Sequence, residues 1–320
     1  MKSPGWCMAD EIHWERTTCP ACGSADEAEF LHAPGDGGIE FRLARCNRCE
    51  TVFTNPRPDA ASIARFYPAD YAPYQPRERR GGTLRGLRDR LFGRAEKSLA
   101  DRIPIPPGGR LLDYGCGSGR FAARMRDRGW DVCGMDFSTR AAETARRAFG
   151  LNVIHGSLPH LDVPPGSFDA ITVREVLEHL HDPAAALRAV SDALKPGGHL
   201  YASVPNLAGW GFRAFGPAWS ALDLPRHLTH FTPTTLERVL GECGFVVLST
   251  RTRGHGKWTA GSVKRARQIN PRWWAPIARV RFVQSALTTW SEWRGAADSL
   301  CVLARKPESV AGESALRRAA

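Results

Sequence analysis

No stretch of this 320-residue chain reaches the roughly eighteen uninterrupted apolar residues of a membrane span. Even the tryptophan-rich WWAPIARVRFVQSAL is broken by Arg279 and Arg281. The opening residues, MKSPGWCMADEIHWER, lack the apolar run of about seven or more that precedes a secretory cleavage site. Neither export nor membrane spanning is therefore expected. The nine cysteines are expected in a reducing cytoplasm, where paired Cys-x-x-Cys spacings mean metal or redox chemistry rather than disulfides. Acidic residues are missing altogether between Arg251 and Gln284, where nine basic residues stand alone, and only four offset nine basic ones between Arg77 and Arg102. These two regions carry the net charge of +11, read either as arginine on solvated faces or as a surface for phosphates. No Asn-Pro-Pro-Tyr-like base-flipping tetrapeptide occurs, and no cysteine is placed for covalent attack on a pyrimidine. Nucleic acid is not the expected partner.

With 42% apolar residues, the length favours one large domain and a smaller one. Residues 1–59 are turn-rich and end in the proline-dense TNPRPD. Residues 60–105 read as a helical linker or lid, with Leu84, Leu87, Leu91 and Leu99 striping a basic helix. Tyr67, Tyr71 and Tyr74 lie in its extended part, Tyr67 expected to pack and Tyr71 to form a lid. From residue 106 to 306 short apolar runs alternate with helical patterns. RLLDYG, WDVCGMD, LNVIHG, FDAITVR, HLYASVP, FVVLST and DSLCVLARK read as strands, with amphipathic helices among them. That alternation predicts an α/β fold with a parallel sheet covered on both faces. Residues 251–294 read as a basic, tryptophan-rich helical insert, and 307–320 as a disordered tail.

Two motifs carry chemistry. Cys19-Pro-Ala-Cys22-Gly and Cys46-Asn-Arg-Cys49 are knuckles that together supply four thiolates with the bite of a closed, structural Zn²⁺ site, a zinc ribbon. LLDYGCGSGRF runs from a strand through Gly115, Gly117 and Gly119 into a helix, and the glycines let the backbone approach a ligand closely. The spacing is G-x-G-x-G rather than the dinucleotide G-x-G-x-x-G. Seventeen residues after Gly119, Asp136 ends the second strand, where a carboxylate can take both hydroxyls of a ribose.

These residues resemble the class I S-adenosylmethionine-dependent methyltransferases, in particular the ubiquinone-biosynthesis-like branch acting on small molecules. LLDYGCGSG is similar to that family's first motif, GMDFS to its ribose-binding strand, SFDAITVREVLEHLHDP to its fourth-strand segment and LKPGGHLYASVPN to its turn into strand five. The resemblance covers about residues 105–250 and implies a doubly wound, Rossmann-like, seven-stranded sheet behind the small zinc ribbon. It also implies S-adenosylmethionine as cofactor. By position, Asp113, Gly115 and Gly117 would border the methionine part, Asp136 the ribose and Phe137 the adenine face. Ser157 stands where the family has an acidic residue for the adenine amino group, leaving Ser157 or the backbone of Leu158 as the contact. Arg174 and Glu175 would face the sulfonium.

Glu175, Glu178 and His179 could hold a divalent ion, act as acid and base, or cap the helix that begins at Asp182-Pro183. In DLPRHLTHF (223–231), His227 is read as a base of ordinary pKa on the outer, acceptor side, and His230 as a residue that fixes the loop through backbone hydrogen bonds. Catalytic roles are thus expected at His227 and His179. Trp273, Val280 and Leu287 repeat every seven residues, as in a helix that packs on the domain or on a second copy of the chain. A sharper reading makes 273–290 an amphipathic helix on anionic lipid. The expected reaction is methyl transfer to a small acceptor such as a sugar or glycan, a quinone-like ring or a natural-product intermediate. The rivals are an RNA methyltransferase gripping phosphates with the ribbon and insert, and a non-catalytic cofactor-binding partner subunit.

Overall fold

The computed structural model describes residues 12–67, 108–269 and 289–308. The leucine stripe 84–99, Tyr71, Tyr74, the Trp273–Leu287 repeat and the tail from 309 onward lie outside those residues.

The N-terminal module comprises β1 (Trp14–Glu15), β2 (Glu27–Pro34), β3 (Glu40–Cys46), β4 (Val52–Thr54) and β5 (Arg57–Pro58). The larger domain begins with β6 (Arg110–Tyr114), β7 (Asp131–Asp136), β8 (Asn152–His155), β9 (Phe168–Arg174) and β10 (Leu194–Pro205). The short β11 (Thr229–His230) follows, then β12 (Val246–Arg253) and β13 (Ser299–Arg305). Seven strands form one sheet in the order β12-β13-β10-β9-β6-β7-β8, with only β13 antiparallel to its neighbours. All seven strand runs read from the sequence are in it. Their near-continuous apolar stretches, Leu111-Leu112 and Ile171 among them, are fully buried because helices cover both faces.

Local chemistry sets the helix ends. α1 (Arg120–Arg126) follows the glycine turn, and α2 (Thr139–Phe149) is capped by Ser138, whose hydroxyl accepts from the Ala141 amide, and stopped by Gly150 in the left-handed region. α3 (Pro183–Ala193) has Asp182 as its cap and proline at its first position. Asp182 alone accepts the Ala185 amide, so Glu178 and His179 are not needed there. α4 (Trp210–Phe215) is a short helix, α5 (Pro233–Glu242) starts in a Thr232/Thr235 capping box, and α6 (Gly256–Ile269) opens the basic segment.

Two consequences position the site. The chain winds outward from β6 to β8 and returns to β9 beside β6, so the topological switch point lies at the carboxyl ends of β6 and β9. The sheet of the N-terminal module, in turn, has the order β11-β4-β3-β2: its outer strand is Thr229–His230, from the loop after β10. The sequence pattern gives no sign of this pairing. Phe53 and Phe231, both fully buried, share one core with Leu112, Ile171 and Leu200 of the main sheet.

Candidate active site

At the switch point the loop after β6 is pinned from two sides. The amides of Gly115 and Cys116 donate to the Met135 carbonyl (2.8 and 3.0 Å), and Gly117 donates to Asp136 Oδ2 (2.8 Å). Asp136 Oδ1 takes the Ser138 amide (2.9 Å), and the residue is 3% exposed. Two of its acceptor sites thus hold the loop, while the others stay open to a hydroxyl-bearing ligand. Gly115 is in the left-handed region, and a Cβ there would overlap Val176. Beneath the loop Asp113 accepts the Thr172 hydroxyl (2.7 Å), and burial pushes its carboxyl up to about 6. Phe137 is 49% exposed and meets Tyr67 edge to face at 5.6 Å. Ser157 is exposed, but the Leu158 amide already donates to the Tyr114 hydroxyl (2.9 Å). That amide is therefore not the adenine contact, because its one hydrogen is spent inside the fold. Arg174 lies over the Phe121 ring at 4.0 Å. Loop, buried carboxylates and exposed aromatic face together fit a nucleoside with an amino-acid tail.

Across the switch point Glu178, His179 and His227 converge. Glu175, Val176 and Leu177 turn the chain sharply, with Glu175 at φ 53, and Leu177–His179 form a 3₁₀ turn rather than the α-helical spacing the sequence suggests. The His179 Nδ1 lies 3.0 Å from the Arg226 carbonyl oxygen and 3.0 Å from the Tyr67 hydroxyl. A carbonyl only accepts, so Nδ1 carries the hydrogen and Nε2 is a lone pair. His227 repeats this arrangement, Nδ1 donating to the Ala221 carbonyl at 2.9 Å. Both Nε2 atoms stand 4.0 Å from Glu178 Oε1, and the rings are 4.5 Å apart. The Glu178 side chain is 1% exposed, and among the described residues neither of its oxygens has a hydrogen-bond partner.

Burial governs the charges here. It pushes His179 down to about 4 and, helped by its neighbour His179, holds His227 well below its ordinary value. Glu178 is pushed the other way, by burial first and by Glu175 second. The expectation of an outlying His227 with an ordinary pKa is corrected: it is 6% exposed and neutral. His230 is buried too and pushed down to about 3, but its Nε2 meets the Thr54 hydroxyl at 3.3 Å instead of backbone.

The sequence reading missed the residues that hold this cluster. Arg226 grips Asp223 with two parallel bonds (2.9 and 2.6 Å) and donates to the Phe66 carbonyl (2.9 Å) and to Asp36. Burial alone would raise Asp223, but that fork overrides it and keeps the carboxylate charged. Asp223, three residues before Arg226 and four before His227, was a readable turn spacing. The reach to Asp36 was not. Tyr67, expected only to pack, instead touches both His179 and Phe137.

The cysteine knuckles meet beside β4. Sγ atoms of Cys19 and Cys49 are 3.5 Å apart and those of Cys22 and Cys46 3.6 Å, with all four within 4.8 Å of one another. Zn–S bonds of about 2.3 Å at tetrahedral angles place sulfurs about 3.8 Å apart, so the set could hold such an ion. The first knuckle turns at Gly23 (φ 73), the second at Glu50 (φ 61). Among the described residues Glu178, His179 and His227 form a second group of ligand atoms within 4.8 Å, with His227 in the place expected of Glu175.

A cavity of about 720 Å³ is lined by Gly115 of the glycine loop, by Arg174, by Glu178, His179 and His227, and by residues of α6. Among the described residues no helix is long and apolar enough to cross a membrane.

The sequence matches the methyltransferase domain family over residues 77–250. It is 35% identical over 141 residues to a ubiquinone biosynthesis O-methyltransferase of Xanthomonas campestris pv. campestris, an alignment that takes in 42% of this chain and 59% of that protein. The chain thus spans less than two thirds of that relative's length. The fold is shared with Haemonchus contortus phosphoethanolamine N-methyltransferase 2, solved with S-adenosyl-L-methionine (TM-score 0.53, 19% identity, 80% of this chain and 63% of that one). It is shared also with the [4+2]-cyclase SpnF (TM-score 0.50, 23% identity, 78% and 91%).

Proposed function

We propose that this chain, which belongs to the class I S-adenosylmethionine-dependent methyltransferase family, transfers a methyl group to a hydroxyl of a small molecule held in the cavity beside Gly115. The observation that carries this is that one cavity is lined by both Gly115 of the glycine loop and His227, whose Nε2 is a lone pair, so donor and proton acceptor serve the same space. When bound, S-adenosylmethionine supplies an electrophilic methyl group on a positively charged sulfur. Asp113, Gly115 and Gly117 border its methionine part, Asp136 takes ribose hydroxyls, Phe137 and Tyr67 wall the adenine side, and Ser157 offers a hydroxyl to the adenine edge. Oxygen is the acceptor atom named in the relatives' O-methyltransferase activity.

His227 Nε2 takes the hydroxyl proton as the oxygen–methyl bond forms. The imidazole gains its charge in the step in which the donor loses its own, so the pocket's net charge is constant. Asp223, kept charged by Arg226 and 3.8 Å from Nε2, stabilises the imidazolium. His179 holds its ring edge to face against His227 and keeps that ring in place. In labelling of a small-molecule extract with methyl-labelled S-adenosylmethionine, His227→Ala is expected to lose about 10²–10⁴-fold in rate with cofactor affinity unchanged. Undiminished labelling would move the base elsewhere, and absence of cofactor binding by calorimetry would sink the whole reading.

Cys19, Cys22, Cys46 and Cys49 hold a structural Zn²⁺ in this reading, and less than about half an equivalent of zinc in chelator-free protein would refute it. The unpartnered Glu178 oxygens favour a second reading of the histidine cluster, a divalent cation on Glu178, His179 and His227. Two metal equivalents, one of them lost in His179→Ala, would establish it in place of the base.

A further inference from the structure

Helix α6 is bolted to the fold by one face and lines the cavity with another. Thr259, Ser262 and Val263 are buried, the Ser262 hydroxyl accepts the Ser220 amide (2.9 Å), and the Ser220 hydroxyl donates to the Trp258 carbonyl (2.7 Å). Trp258 stacks on His255 at 4.0 Å and meets Trp219 edge to face. The other face lines the cavity with Lys257, Gly261, Lys264, Arg265 and Gln268, residues that recur at the three- and four-residue steps of one helical side. Three cations thus occupy a stripe of about 12 Å at 1.5 Å per residue, and Arg174 faces them from β9. The helix carries no acidic residue.

The opposing carboxylates of the cavity do not pair with Lys264 or Arg265. Asp223 is gripped by Arg226, Glu178 lies fully buried in the floor, and half-buried Glu175 accepts the Ser299 hydroxyl (3.2 Å). Among the described residues neither Lys264 nor Arg265 has an ion-pair partner, and the buried Nη1 of Arg265 has no hydrogen-bond partner at all. Exposed Lys264 and cavity-lining Arg265 can each give charge-assisted hydrogen bonds to a ligand oxygen. One carboxylate would engage one of these cations, and a neutral ring none.

We infer that the acceptor is a phosphorylated small molecule, best a diphosphate, whose phosphate oxygens lie along Lys257, Lys264 and Arg265 while its hydroxyl points down to His227. This rests on the methyltransferase reading above and names its substrate class. A cavity of about 720 Å³ has the size of a small-molecule site, which favours such a ligand over a nucleic-acid backbone.

The test is calorimetry on the full chain saturated with S-adenosylhomocysteine, titrated with inorganic pyrophosphate. Binding of S-adenosylhomocysteine comes first, and its failure counts against the methyltransferase reading alone. Pyrophosphate is expected to bind, and more tightly than orthophosphate. The Lys264→Ala/Arg265→Ala double variant is expected to bind it at least tenfold more weakly, with S-adenosylhomocysteine affinity and melting temperature as in wild type. Saturable cofactor binding with no pyrophosphate binding, or with binding indifferent to the double variant, overturns the inference. So does bulk RNA that competes pyrophosphate off in wild type and loses its affinity in the same variant, since it assigns the stripe to nucleic acid.

Discussion

The two sides of the cavity are built in opposite ways. The glycine-loop side comes from one continuous piece of chain, Asp113 to Leu158, in two adjacent strand–helix units whose contacts are mostly backbone to neighbouring strand. The histidine side is collected from Asp36 of the N-terminal module, Phe66 and Tyr67 just after it, the turn after β9 and the loop after β10. Its bonds span 112 residues (Tyr67 to His179), 173 (Thr54 to the His227 carbonyl) and 190 (Asp36 to Arg226). A cofactor site common to a family can thus sit on a local motif, while the acceptor side depends on how a separate module docks. The N-terminal module supports the histidine side from behind, because β11 is both its outer strand and the continuation of the segment that carries His227.

The sharpest way to break this contrast is Phe53→Ala. Phe53 pairs with Thr229 across β4 and β11 and is buried in the core shared with the main sheet, so its loss is expected to cost about 3–5 kcal/mol. Denaturant unfolding should stay a single transition at a lower midpoint. A separate early transition, with cofactor binding preserved beyond it, would show the module to be independent. On the other side, Asp136→Ala is expected to weaken cofactor binding by about 1.5–3 kcal/mol, roughly ten- to a hundredfold, and to leave the histidine cluster's stability unchanged. Calorimetry and melting on the same sample separate the two effects.

His230 sharpens the comparison through pH. Burial lowers its pKa to about 3, so the unfolded chain takes up a proton below about pH 6.5 that the folded chain refuses. Its contribution to stability is complete above pH 6.5 and is lost as the pH falls toward 3, at about 1.4 kcal/mol per unit. Between pH 7 and 5, wild type should therefore lose about 2 kcal/mol relative to His230→Gln in urea unfolding. Parallel curves for the two proteins would mean that His230 is already exposed in the folded state. The smallest effect is expected at Ser157, exposed at the rim, where alanine should change stability by less than about 0.5 kcal/mol and cofactor affinity only a few-fold.

Most of the fold was legible. Every strand of the seven-stranded sheet announced itself as an apolar run, and the caps at Asp182, Thr232 and Gly150 are residues whose side chains or backbone freedom act within a turn. The four cysteines could be read as one site because knuckle geometry is local. The histidine cluster could be read only in pieces. His179 and His227 were visible as candidates, yet their shared orientation toward Glu178 and their neutral state were not, since both follow from burial beneath another module. Tyr67, Asp223 and Arg226 gave no motif because each acts through a partner distant in the chain, apart from the Asp223–Arg226 turn itself.

The sequence by itself determined what depends on neighbours within a few residues: strand and helix identity, the glycine turn, the cysteine bite and the placing of Asp136 after its strand. Only the tertiary structure decided that Thr229–His230 completes the N-terminal sheet, that His227 is an interior imidazole with Nε2 aimed at Glu178, and that one face of α6 turns its cations into the cavity. The physical reason is desolvation. A side chain's charge state and hydrogen-bond partner are set by what excludes water from it, and here that enclosure joins segments distant in the chain, as Tyr67 with His179 and Thr54 with the His227 carbonyl.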